Sequence, residues 1–221
     1  MIDFIRLAID FLLHLDRHLG DLIGQYGTGT YLILSLIVFC ETGLVVTPFL
    51  PGDSLLFAAG AFAGLGRLDP WILCACLMGA AILGDNLNYW IGRGTRHSAL
   101  GARRSALVGR FIKPAYLERT QGFFDRYGGR TVIIARFVPI VRTFTPFVAG
   151  VGAMPYSRFL VYSIAGGALW VFGFIWLGYF FGNLPIVRNN FGMVIGAIIL
   201  ISVLPMVVEV VRVRRISSES T

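Results

Sequence analysis

The chain has 221 residues, of which 56% are hydrophobic and only 14% charged, with a net charge of +7 and a mean hydropathy of +0.75. A soluble domain of this length has too little interior to hide that much apolar surface, so an all-α integral membrane protein is expected. In such a protein the surplus of bases belongs to cytoplasmic loops, which removes nucleic acid as a partner.

Asp3, Arg6, Asp10, His14, Arg17 and Asp21 recur every three or four positions over residues 2–23. One polar stripe on an apolar helix suits a helix lying in the membrane interface; the alternative is a spanning helix packed polar side inward. No signal peptide is expected, because acids stand among the first residues and no small-residue cleavage site follows an apolar core. Residues 30–46 are apolar and break at "TPFLPGD", and residues 53–65 resume as an Ala/Gly-rich run. Each piece is short of the ~20 residues a span needs, and prolines separate them. Residues 71–92 make a full span, with Trp71 and Trp90 near its ends where indoles favour the interface.

Residues 93–130 carry Arg93, Arg96, Arg103, Arg104, Arg110, Lys113, Arg119, Arg126 and Arg130 against only Glu118 and Asp125. The positive-inside rule makes this the cytoplasmic loop. Its "PAYLERTQGFFDRYGG" reads as a second interfacial helix, with Pro114 near its start and Gly128 near its end. Residues 131–150 are apolar but broken by Pro139 and Pro146. Residues 158–181 and 190–211 are two more full spans, and Arg212, Arg214 and Arg215 make the tail basic.

Parity constrains the topology. The basic loop and basic tail should share one side, and the two last spans already return the chain to the side it left. Residues 131–150 should therefore enter and leave on one face, a hairpin tolerated only where protein or a water cavity satisfies its backbone. The same logic makes 31–65 a hairpin from the opposite face. "TPF" recurs at 47–49 and 145–147, "LLFAAG" is echoed by "PFVAG", and "NYWIG" at 88–92 by "GYFFG" at 178–182. The expected fold is one membrane domain of two inverted repeats, each an interfacial helix, a re-entrant helical hairpin and a full transmembrane helix. The first repeat occupies 1–92, the basic cytoplasmic loop and interfacial helix 93–130, the second repeat 131–182, and a last transmembrane helix with basic tail 183–221. Inverted repeats whose broken segments meet near the midplane are a transporter architecture.

Four ionisable residues lie in the hairpins: Glu41, Asp53, Arg136 and Arg142. A lone charge at the bilayer centre costs about 2.5–3.5 kcal/mol even on the lenient insertion scale, so these must pair or line a wet cavity. Two acids in one hairpin and two arginines in the other suggest facing groups in one shared cavity. Arg136 and Arg142 offer planar donor forks that fit phosphate oxygens. Glu41 and Asp53 can titrate, and a substrate that occupies the arginines would shift their proton affinity, coupling protons to transport. Ion bridges that only pin the hairpins together are the competing reading. Asp85, in "GDNLNYWIGR", extends the polar path or serves helix packing and interfacial capping. The histidines His14, His18 and His97 and the cysteines Cys40, Cys74 and Cys76 have no metal-ligand or triad spacing. Neither an enzyme nor a cofactor or metal is expected.

At "FCETGLVVTPFLPGDSLLFAAG" and "ARFVPIVRTFTPFVAGVGAM" the chain resembles the DedA family of bacterial inner-membrane proteins, part of the wider VTT, or SNARE-associated, superfamily. The likeness extends to "GRFIKPAYLERTQGFFDRYGG" and "LGYFFGNLP", and R-F-x-P-x-x-R-x-x-x-P-x-x-A-G is its most specific motif. The resemblance implies two inverted re-entrant hairpins, a multi-pass inner-membrane location with basic loop and C-terminus cytoplasmic, and lipid translocation. It places an essential acidic pair at Glu41 and Asp53 and an arginine pair at Arg136 and Arg142. Bacterial relatives recycle undecaprenyl phosphate and are tied to the proton motive force and to resistance to cationic antimicrobial peptides; eukaryotic relatives scramble phospholipids. The function expected is a flippase moving undecaprenyl phosphate, or a related anionic lipid, to the cytoplasmic leaflet, with protons as the coupling partner. A proton-coupled transporter of a small soluble substrate and a non-transporting membrane assembly factor remain open, as does oligomeric state, a homo-oligomer included.

Overall fold

The computed structural model describes residues 15–43, 52–100, 129–136, 139–185, 187, 190–198 and 200. The expected helix before residue 15, the interfacial helix of the basic loop, and the last span and tail from residue 201 lie outside the described residues. Those described are helical, with no strand among them. Seven helices are named in chain order: α1 (Leu15–Tyr26), α2 (Gly29–Gly43), α3 (Gly52–Gly64), α4 (Pro70–Leu100), α5 (Arg130–Ala135), α6 (Pro139–Val151) and α7 (Tyr156–Phe181). Two of them, α4 over Pro70–Arg96 and α7, are long and apolar enough to cross a membrane. These are the expected spans 71–92 and 158–181.

The chain divides into two compact units, and each draws on both halves of the sequence. The first holds Met1–Ile33, Pro51–Cys76 and Val171–Thr221; the second holds Leu34–Leu50 and Leu77–Trp170.

In the first unit, α1 buries Leu19 and Ile23, one turn apart, and exposes Arg17, His18 and Asp21. That is the stripe expected of an amphipathic helix. It packs on α3, with Phe62 lying against Gly20. α3 is buried almost all round from Gly52 to Ala61, as its Ala/Gly-rich sequence requires of a core helix. The start of α4 is set by Asp69 and Pro70. The Asp69 Oδ1 accepts the N–H groups of Trp71 (2.8 Å) and Ile72 (2.9 Å), and Pro70 takes the first helical position, where its missing donor costs nothing.

The last part of α7 runs alongside α3 in the same direction, backbone against backbone. A Cβ on Gly60 would lie 2.1 Å from the Ile175 carbonyl oxygen, and one on Gly178 2.0 Å from that of Phe57. Gly64 and Gly182 continue the contact one turn on, so two G-x-x-x-G faces meet. With no hydrophobic drive between helices in lipid, such close backbone approach is what holds them.

In the second unit the same device joins α6 to α4. A Cβ on Gly92 would lie 2.1 Å from the Phe147 carbonyl oxygen, and one on Gly150 2.1 Å from that of Tyr89. Here too the shorter helix runs with the longer one, Thr143 beside Asn88 and Val151 beside Arg96. α7 runs against α4, with Tyr156 at Asn86 and Ser163 at Asp85. α5 follows α7, Gly129 on Tyr162 and Ile133 at Gly166. Tyr89, Phe159, Val132, Ala149 and Met154 form the core of these contacts.

Two expectations are modified. Residues 131–150 do divide just before Pro139, which opens α6, but Pro146 lies inside α6 and does not break it. Arg93 and Arg96, assigned to the cytoplasmic loop, belong to α4, which continues to Leu100. They donate to the Met154 carbonyl (3.3 Å) and the Val151 carbonyl (3.0 Å), neutralising the end of α6, where orphan carbonyls attract cations.

Candidate functional site

The second unit buries four charged side chains together. Glu41 ends α2, Asp85 sits midway along α4, Arg136 follows α5, and Arg142 lies in the first half of α6. All four are 7% exposed or less, too buried for water to compensate their charge, so each must find partners. Arg142 donates through Nη2 to Glu41 Oε1. Arg136 donates through Nη1 to Asp85 Oδ2 at 2.5 Å, and the Ser163 hydroxyl donates to the same oxygen at 2.5 Å.

Close backbone packing makes these pairs. Gly84, next to Asp85, admits Thr42 and Gly43 from the end of α2; a Cβ there would lie 1.9 Å from the Thr42 hydroxyl. Gly166 and Gly167 on α7 make room for the Arg136 side chain, whose Cδ and Cζ lie 3.4 and 3.5 Å from where their Cβ atoms would be. Asn88, one turn beyond Asp85, ties the pairs together. Its Nδ2 donates to the carbonyls of Thr42 (3.2 Å) and Thr143 (2.6 Å), the residues that follow Glu41 and Arg142. The Thr42 carbonyl belongs to the last turn of a helix and needs a donor from outside it.

Trp170 lies beside both cations. The Arg142 Cζ is 4.8 Å and the Arg136 Cζ 5.7 Å from its ring centroid, so one buried indole serves both guanidiniums. Thr42, Asp85, Arg136, Arg142, Thr143 and Trp170 line a small cavity of about 10 Å³, room for one water. Arg136 Nε and Nη2 are buried there with no hydrogen-bond acceptor among the described residues. The site thus combines two forks, two carboxylates and unused donors beside a small cavity. No group of three or more metal-ligating residues occurs among the described residues.

Four of the five residues singled out in the sequence therefore meet in one place. Asp85, expected to extend the polar path or to pack or cap a helix, receives Arg136. Asp53 is buried in the first turn of α3, in the first unit, where the helix dipole favours an acid. Trp170, Ser163 and the clamp role of Asn88 were not anticipated. The signal for Asn88 is its place one turn from Asp85 on the buried face of a span; the signal for Trp170 is the small pair Gly166–Gly167 one turn before it.

Residues 50–180 match the VTT domain. The chain is 48% identical over 220 residues to Protein DedA of Escherichia coli K12, covering 99% of each chain. It is 41% identical over 194 residues to an uncharacterized membrane protein of Mycobacterium tuberculosis, covering 87% of this chain and 83% of the relative. It is 34% identical over 182 residues to the inner membrane protein YghB of Escherichia coli K12, covering 82% and 78%. No solved structure gives a significant match. With a domain match over more than half its length and a relative aligned end to end, the chain belongs to the DedA family of VTT-domain membrane proteins.

Proposed function

We propose that this chain is an inner-membrane lipid flippase that moves undecaprenyl phosphate to the cytoplasmic leaflet, with proton uptake coupled to transport. The observation that carries this reading is the pair of buried arginines near Trp170, each held by a carboxylate, with Arg136 donors unused beside a cavity of only about 10 Å³. A phosphate monoester offers the oxygens these forks fit. It cannot enter a space the size of one water while both ion pairs hold, so it must take the arginines from Glu41 and Asp85. The carboxylates then need another compensating charge, and protons supply it. A lipid rather than a soluble solute is favoured by the surroundings. Val141 and Phe144, flanking Arg142 and Thr143 on α6, are exposed, so an apolar face adjoins the cationic site. A prenyl chain can stay on that face while its head group crosses.

The twin glycine contacts support an inverted repeat: α3 runs with α7, α6 with α4, and α4 and α7 run oppositely where they meet. In the second unit α5 follows α7 and α6 returns along α4, the path of a hairpin that enters and leaves on one face. Inner-membrane placement is supported by the names of relatives such as YghB.

The test is purified protein in liposomes with labelled undecaprenyl phosphate, leaflet exposure being followed with and without a pH gradient. Faster exchange that responds to the gradient, and that is lost in Arg142→Lys while lysine preserves folding, is the expected result. Exchange no faster than in empty liposomes would overturn the reading.

A further inference from the structure

The first unit contains a second cationic cavity, far larger than the first. The turn after α3 builds its rim. Gly66 has φ +72, and its N–H bonds the Ala63 carbonyl at 2.9 Å while the Arg67 N–H bonds that of Phe62 at 3.1 Å. This left-handed helix stop sets Arg67 beside Phe62. Asn183, just past α7, donates through Nδ2 to the Ala61 carbonyl at 2.9 Å and closes the far wall. Arg17 comes from the exposed face of α1, and Leu65 and Phe191 complete an apolar floor. The cavity is open on one side and holds about 290 Å³. Neither the Arg17 nor the Arg67 guanidinium has a carboxylate or other hydrogen-bond partner among the described residues.

We propose that this cavity docks the phosphate head of a polyprenyl monophosphate at the outer face of the membrane. The lipid identity rests on the flippase reading above; the cavity as an anionic head-group site does not. Three features favour a lipid head. Two uncompensated forks suit a phosphate bearing more than one charge. Phe62, Leu65 and Phe191 give the first isoprene units an apolar wall, which a soluble anion would not use. The aromatic cluster of Trp71, Trp176, Tyr179 and Phe180 gathers at this end of α4 and α7, with Trp71 and Trp176 5.4 Å apart, and marks the level of the interface. The positive-inside rule makes the basic residues 93–130 cytoplasmic, so Arg67, on the far side of the span 71–92 in sequence, lies on the outer face, where a lipid bound for the cytoplasmic leaflet is loaded.

The test uses the full chain in nanodiscs of zwitterionic phospholipid, with undecaprenyl phosphate as probe and undecaprenol and inorganic phosphate as comparisons. Arg17→Gln/Arg67→Gln changes two exposed side chains, so folding is not at risk. The double variant should bind undecaprenyl phosphate about ten- to a hundred-fold more weakly, the scale of a single buried charge-assisted contact, because water screens both exposed guanidiniums. In liposomes the half-saturating lipid concentration should rise by a similar factor while the maximal rate is kept. Undecaprenol and inorganic phosphate should bind weakly to both proteins. Wild-type lipid affinity and half-saturation in the double variant would overturn the proposal, and inorganic phosphate binding as well as the lipid would overturn the lipid occupant. If the double variant loses lipid binding but wild-type protein moves no lipid, the docking site stands and the flippase reading falls. If Arg142→Lys abolishes transport while the double variant binds normally, the reverse holds.

Discussion

Gly92→Ala tests whether backbone contact between α4 and α6 is what builds the site. The added Cβ would stand 2.1 Å from the Phe147 carbonyl oxygen and 2.9 Å from its carbon. Ordinary contact begins more than 1 Å further out, and the obstacle is backbone that cannot rotate away, so α6 must retreat. Overpacking of this kind costs about 1–3 kcal/mol. Retreat of α6 also stretches the Asn88–Thr143 bond at 2.6 Å, an added loss of about 1 kcal/mol. A total near 3 kcal/mol lowers the apparent Tm of a chain this long by roughly 6–12 °C. Gly79→Ala is the control on the same helix, since a Cβ there meets nothing within 4 Å; alanine should be neutral or stabilising by up to about 1 kcal/mol. Thermal unfolding of the purified variants in one detergent reads the difference. If Gly92→Ala and Gly79→Ala unfold together, the close approach does not hold these helices and the reasoning fails.

Asn88→Leu keeps the volume but removes the donor shared by Thr42 and Thr143, so it should cost about 2–4 kcal/mol; unfolding at the wild-type temperature would mean the clamp is idle. Ala153 holds φ +55 at the end of α6, a conformation costing a non-glycine residue about 1 kcal/mol. Ala153→Gly should therefore raise the apparent Tm by roughly 2–4 °C, and a fall would refute that strain. Binding of undecaprenyl phosphate should take up about one to two protons per lipid, the charge a phosphate monoester brings. Glu41→Gln should reduce the uptake by about one, and calorimetry in buffers of different ionisation enthalpy would expose a lack of uptake.

The long spans were legible because apolar length alone specifies them: residues 71–92 and 158–181 became α4 and α7. Arg136 and Arg142 were legible because charge in an apolar segment demands an explanation. Their partners were only half legible. Glu41 announced itself for the same reason, but Asp85 has Asn86 and Asn88 as neighbours and reads equally well as a residue that caps or packs a helix. What assigns it to Arg136 is the course of α5 along α7, which places Arg136 at Gly166 and Gly167. No local pattern records that path. Pro146 misled for a related reason. Pro146 frees the Arg142 carbonyl, yet α6 stays helical because it is held along α4, where Asn88 donates to the neighbouring Thr143 carbonyl. Trp170 was missed because an indole in an apolar span looks alike whether it faces lipid or two guanidiniums, and only the small pair Gly166–Gly167 before it hints at close packing.

Why acids and arginines should be buried together follows from charge balance. Two guanidiniums and two carboxylates cancel, so the closed site is neutral and tolerable in a bilayer. Phosphate brings about −1.5 to −2 charge at neutral pH. If the arginines stood alone, the empty carrier would hold two bare charges and could not settle into a closed state. If the carboxylates could not be protonated, the loaded carrier would hold the surplus charge instead. Neutrality at both stages requires groups that pair with arginine when the lipid is absent and accept protons when it is present, which Glu and Asp do and amides do not. A structural pin needs the first property only. Proton uptake on lipid binding is therefore the quantity that separates a carrier from a scaffold, because a pin that merely breaks has no phosphate charge to balance.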